Sequence, residues 1–145
     1  MNCTLWCAAY LLGVSSETLI AEIGHDGKTV LWEEYSDQRR LRGISLPEIQ
    51  TCFWMRNKML APIFLYPILA PEHGAKPFHL WSIEQASKRC ASLLAGRRAI
   101  VIGQLPSGIL HAIIWDENMY VDCRGGPTGM PSDFTPQEAY IICQL

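Results

Sequence analysis

No lysine or arginine precedes Lys28, so the amino-terminal stretch lacks the basic region that opens a secretory signal peptide. No apolar run reads as a bilayer span. Leu5–Val14 is short and fits a packed helix, and Ala61–Ala70 is interrupted by Pro62 and Pro67. Neither sign of charge dominates: 12 Lys+Arg against 14 Asp+Glu leave a net charge of −2. That balance supplies no broad field for nucleic acid or for an anionic membrane surface, and neither is expected as a partner. The cysteines form no CxxC pair and the histidines (His25, His73, His79, His111) no HxxxH, so the spacings that mark zinc sites are missing. No metal or cofactor is expected. Repeats, low-complexity tracts and linker-like stretches are also absent.

What is present is enough for a core. The chain has 145 residues, 49% of them hydrophobic and 18% charged, which predicts one domain over residues 1–145. The six cysteines, Cys3, Cys7, Cys52, Cys90, Cys123 and Cys143, are an even number, yet they are scattered, and a core of this size needs no disulfide staples. We expect a soluble, reduced, cytoplasmic protein in which most cysteines pack as small hydrophobes.

Helices come first. Asn2 caps a helix starting at Cys3, Leu5, Ala8, Ala9 and Leu12 form one buried stripe, and Gly13 stops it. Ser15 or Ser16 opens a second helix over Glu17–Ile23, ended by Gly24; His25-Asp26-Gly27-Lys28 is a turn and Val30–Tyr35 a strand. Arg39, Arg40 and Arg42 read as a solvated loop. Ser45-Leu46-Pro47-Glu48 is a capping box for a helix through about Leu60, and Ile63–Leu69 a strand. Ser82 with Gln85 caps a further helix, with Ile83, Ala86, Cys90, Leu93 and Leu94 on one face and Gly96 at its end. Ala99–Gln104, Ile109–Trp115, Met119–Cys123 and Ala139–Gln144 are β-type runs, the first three joined by turn residues into an antiparallel meander. The class is α+β, one layer of helices against a sheet.

Three residues carry chemistry together. Cys3 stands at the first turn of an apolar helix, where the helix dipole favours a thiolate. His111 lies inside an apolar strand, and Asp122 lies on the next one. If Glu117-Asn118 is a two-residue turn, Asp116 pairs with Met119 and Ile113 with Asp122. His111 and Asp122 then share a face as diagonal neighbours, with Cβ atoms ~7–8 Å apart. A nucleophilic thiol needs a base, and the base needs an acceptor that fixes its tautomer; Cys3, His111 and Asp122 fill those roles in order. Cys7 lies one turn beyond Cys3, and Asp116 and Asn118 sit at or beside the turn.

The stretch Asn2-Cys3-Thr4-Leu5-Trp6-Cys7-Ala8-Ala9-Tyr10-Leu11-Leu12-Gly13-Val14-Ser15 resembles the catalytic-helix motif of papain-like cysteine peptidases, closest to bacterial double-glycine leader peptidases and their relatives. Gly108–Trp115 resembles their histidine strand and Tyr120–Gly126 the strand bearing their Asp, with Cys123 where that family usually has Pro. The resemblance implies a papain-like fold with its N-terminal catalytic helix on an antiparallel sheet. It also implies a Cys3-His111-Asp122 triad cleaving a peptide or isopeptide bond in a peptide or protein substrate. The family also carries a Gln several residues before its Cys as an oxyanion donor. Here Met1 and Asn2 occupy that stretch, so the donor falls to Asn2 or to Gln104 beside the main chain of Cys3. The alternatives are an acyltransferase or deamidase with the same triad, and a non-catalytic binding module, phage or mobile-element encoded, acting on a host protein.

Overall fold

The computed structural model describes residues 2–32, 39–65, 83–123, 126–128 and 133–145. Its elements in chain order are α1 (Cys3–Leu12), α2 (Ser16–Ile23), β1 (Val30–Trp32), β2 (Arg39–Leu41), α3 (Leu46–Trp54), β3 (Lys58–Phe64), α4 (Ile83–Leu94), β4 (Arg97–Gln104), β5 (Leu110–Glu117), β6 (Met119–Asp122), β7 (Gly126–Thr128) and β8 (Thr135–Gln144). β1 and β2 form a separate hairpin. The other strands form one antiparallel sheet in the order β3-β8-β4-β5-β6-β7, five strands of four residues or more with the three-residue β7 at one edge. The fold is α+β.

The expected single helical layer is a correction. Residues of α1, α2 and α3 pack with Ile100, Ala112, Ile114 and Val121 on one face of the sheet. Cys90 and Leu94 of α4 pack with Ala99, Val101, Ile113 and Trp115 on the other. The sequence explains why. β5 is apolar at consecutive positions from Ala112 to Trp115, all buried, so both of its faces need cover.

Local signals set the element ends where the chain is free to obey them. Asn2 Oδ1 accepts from Leu5 N at 3.1 Å and caps α1, and Gly13, at φ 67°, closes it. Ser15 caps α2 and Gly24 ends it. The capping box of Ser45 and Glu48 opens α3. The predicted continuation of that helix to Leu60 does not occur. The helix ends at Trp54, Asn57 turns the chain with φ 54°, and Lys58–Phe64 pairs along β8. Strand pairing outweighs a weak local preference there, and Pro62 is accommodated because β3 is an edge strand. The end of the predicted strand at 66–69, the end of Val30–Tyr35, the Ser82 cap, His73 and His79 lie outside the described residues.

Gly103 couples the sheet to the site. It pairs with His111, and the β4–β8 register shifts between Ile102 and Gly103. A Cβ at Gly103 would stand 2.4 Å from Thr135 O and 2.5 Å from Phe134 Cζ. The missing side chain is therefore what admits the fully buried Phe134, whose ring meets that of His111 edge-on at 6.2 Å. We expect Gly103→Ala to lower unfolding free energy by ~1–3 kcal/mol in urea denaturation, the usual cost of overpacking. Wild-type stability in this variant would mean that Phe134 does not depend on the gap.

Candidate active site

The His111–Asp122 pair is set by the hairpin. The turn places Asp116 opposite Met119, Trp115 opposite Tyr120 and Ile114 opposite Val121. One more step along the same register brings Asp122 diagonally beside His111, as the turn length predicts. His111 Nε2 lies 3.0 Å from Asp122 Oδ1, with the residues 8% and 4% exposed. Asp116 is engaged elsewhere, accepting from Arg98 Nε at 2.8 Å and from the Tyr10 hydroxyl at 3.2 Å.

α1 brings Cys3 to this pair. Burial of the thiol opposes its ionisation. Hydrogen bonds from His111 and from the Ala112 and Thr4 main chains, with the charge of His111, outweigh burial and hold the thiol below its ordinary range. His111 responds in the matching direction. Its hydrogen bond to Cys3 raises its basicity, burial opposes this, and Asp122 adds to the rise. With Nε2 committed to Asp122, the network assigns Nδ1 to Cys3. The structure thus brings Cys3, His111 and Asp122 into one connected group.

The other cysteines divide by burial, and none of the six forms a disulfide. Cys7 is fully buried and its thiol is pushed far up, first by desolvation and then by neighbouring Cys3, Cys123 and Asp122. Burial likewise raises Cys90, to about 11, and Cys52. Cys123 and Cys143 are partly exposed; Cys143 still packs against the core, so the expectation of core packing holds for Cys7, Cys52, Cys90 and Cys143.

Two side chains at the site were not singled out from the sequence. Phe134 walls the His111 ring, and nothing in its neighbourhood along the chain marks it. Cys123 follows Asp122 directly, and its thiol, a His111 nitrogen and an Asp122 oxygen all lie within 4.8 Å of one another. The departure from the family pattern at that position was its one signal. Among the described residues this is the group able to hold a metal ion.

An open groove of about 440 Å³ runs past Cys3, lined by Asn2, Thr4, Lys28, Arg42, Gly43 and Ser45 among others. Its outer wall is tied by Glu48. That carboxylate accepts from Ser45 N at 2.8 Å and Arg42 Nη2 at 2.8 Å, and bonds His25 Nε2 at 2.6 Å. Those partners, the Ser45 main chain foremost, hold it well below the usual carboxylate range. Arg42 is exposed in a loop, as expected, and also partners Glu48, whereas Arg39 and Arg40 belong to β2 and correct the loop reading there. Of the two amides considered as oxyanion donors, Gln104 donates from Nε2 to Gly108 O at 3.1 Å and its Oε1 accepts from Gln137 at 3.3 Å. Asn2, which lines the groove, uses Oδ1 for the cap, and its Nδ2 lies beside Gly43.

We expect iodoacetamide at pH 6.5 to label Cys3 ahead of Cys7, Cys52 and Cys90, located by peptide mass spectrometry. His111→Ala should slow labelling of Cys3 by about tenfold or more. Equal labelling with and without His111 would show that the imidazole does not activate the thiol. No protein-family model matches the chain, and no curated protein or solved structure matches it.

Proposed function

We propose that the chain is a papain-like cysteine hydrolase that cleaves a peptide or isopeptide bond of a protein or peptide substrate in a reducing, cytoplasmic setting. The observation that carries the proposal is the hydrogen-bonded series Cys3, His111, Asp122, opening on a groove at the start of a helix. The resemblance of the Cys3 helix and the His111 and Asp122 strands to that family's motifs supports it.

The Cys3 thiolate attacks the carbonyl carbon, and the carbonyl π pair moves to oxygen. The donors available to the resulting oxyanion are the Cys3 N–H, which has no intrahelical partner at the first turn of α1, and Asn2 Nδ2. His111, protonated at Nδ1, gives that proton to the leaving nitrogen as the C–N bond breaks, and a thioester on Cys3 remains. The neutral imidazole then removes a proton from water as the water oxygen attacks the thioester. Collapse of this second intermediate releases the carboxylic acid, and the thiolate–imidazolium pair is restored. Asp122 accepts from Nε2–H throughout and keeps the ring in one tautomer and orientation.

The test is incubation with a peptide library, followed by intact-protein mass spectrometry for an acyl adduct and by product analysis. We expect an adduct on Cys3 that is absent from Cys3→Ala, with turnover lowered ~10²–10⁴-fold in His111→Ala. Asn2→Asp keeps an oxygen for the helix cap and removes the amide donor; we expect ~10²–10³-fold slower turnover. Amine-captured products in place of acids would move the chain to acyl transfer. Release of ammonia from glutamine side chains would make it a deamidase, and no adduct with any peptide would leave a binding module.

A further inference from the structure

We propose that His111, Asp122 and Cys123 form a site for one soft divalent cation, Zn²⁺ as the representative, and that its occupation silences Cys3. The three side chains offer imidazole nitrogen, carboxylate oxygen and thiolate sulfur, the donor types zinc selects, with their ligand atoms all within 4.8 Å of one another. Zinc holds nitrogen and oxygen ligands at ~2.0–2.2 Å, which separates two such atoms by ~3.3 Å across a tetrahedral centre. His111 Nε2 and Asp122 Oδ1 already stand 3.0 Å apart. An ion can therefore replace the proton they share with a shift of a few tenths of an ångström. Sulfur at ~2.3 Å completes three protein ligands and leaves the fourth position to water. Cys123 is only partly buried while its two partners are buried, so its side is the way in.

No sequence spacing announces such a site. Two ligands are adjacent in the chain and the third comes across a hairpin, so neither CxxC nor HxxxH arises.

The binding needs only these three side chains; its consequence for Cys3 rests on the thiol chemistry proposed above. A cation on Nε2 displaces the proton donated to Asp122 and puts positive charge on the ring. Nδ1 keeps its own proton, which could leave only by making imidazolate, so the ring can neither take the proton of the Cys3 thiol nor pass one to a leaving group. Metal occupation and thiol catalysis exclude one another on the same imidazole.

Metal-free protein titrated with Co²⁺ should take up one equivalent, counted by native mass spectrometry, with thiolate-to-cobalt charge-transfer absorption that Zn²⁺ abolishes by displacement. Cys123→Ser should lose that absorption and bind Zn²⁺ ~100-fold or more weakly, in line with loss of a thiolate ligand. Cys3→Ser should keep both. Absorption that survives in Cys123→Ser or vanishes in Cys3→Ser, or its absence from the wild type, overturns the site. In the wild type, Zn²⁺ should slow alkylation of Cys3 at least ~tenfold, reversed by chelator, and this ratio should collapse towards one in Cys123→Ser. An unchanged ratio in a wild type that binds cobalt through Cys123 overturns the silencing. Failure of the thiol chemistry itself shows separately, as Cys3 alkylation in metal-free protein that is indifferent to His111.

Discussion

The hydrogen bond between His111 Nε2 and Asp122 Oδ1 joins two neighbouring strands of the sheet, and among the described residues these two are the buried polar or charged side chains. Buried polar groups are costly unless paired, so each residue requires the other. The pairing fixes which imidazole nitrogen is left for Cys3, and with it the direction in which α1 must present its first turn. Several features far apart in sequence serve this one contact. The turn at Glu117-Asn118 sets its register, Gly103 admits the Phe134 ring that walls it, and the Asn2 cap fixes where the helix begins.

The helix and the sheet contribute different physics to the thiol. Burial alone would make Cys3 as inert as Cys7 one turn away, and that contrast shows how local the activation is. Cys3 gains main-chain donors from its own helix start and from Ala112 on β5, together with the imidazole. Cys7 gains no such set and is pressed by neighbouring negative groups. The groove on the open side of Cys3 is held by polar ties of a different kind, chiefly the Glu48 carboxylate with Ser45, His25 and Arg42. Its wall can therefore keep its shape without a hydrophobic core of its own.

Sequence alone disclosed the parts of this arrangement that depend on near neighbours. The caps at Asn2 and Ser45, a helix start at Ser15 or Ser16, the stops at Gly13 and Gly24 and the Asp116–Met119 register follow from rules that act within a few residues. Alternation then carried Asp122 to His111, so that pair was legible. The parts that were not depend on distant chain. α3 yields at Trp54 because β8, some eighty residues later, claims Lys58–Phe64. α4 crosses to the second face because β5 needs cover on both sides. Phe134 reaches His111 only through the Gly103 gap. Cys123 was visible as a departure from a family pattern, but its closeness to His111 required the hairpin in three dimensions.

Cys3, His111 and Asp122 are proposed to act as one unit. A double-mutant cycle on Cys3 alkylation at fixed pH, in chelator-treated protein, tests it most directly. Rates are compared for wild type, His111→Ala, Asp122→Ala and the double variant. Residues that work through one another are strongly non-additive. The prediction is that removing Asp122 slows Cys3 only while His111 is present, so the double variant matches His111→Ala. Two losses that multiply in the double variant would contradict it, because Asp122 would then act on the thiol without the imidazole between them.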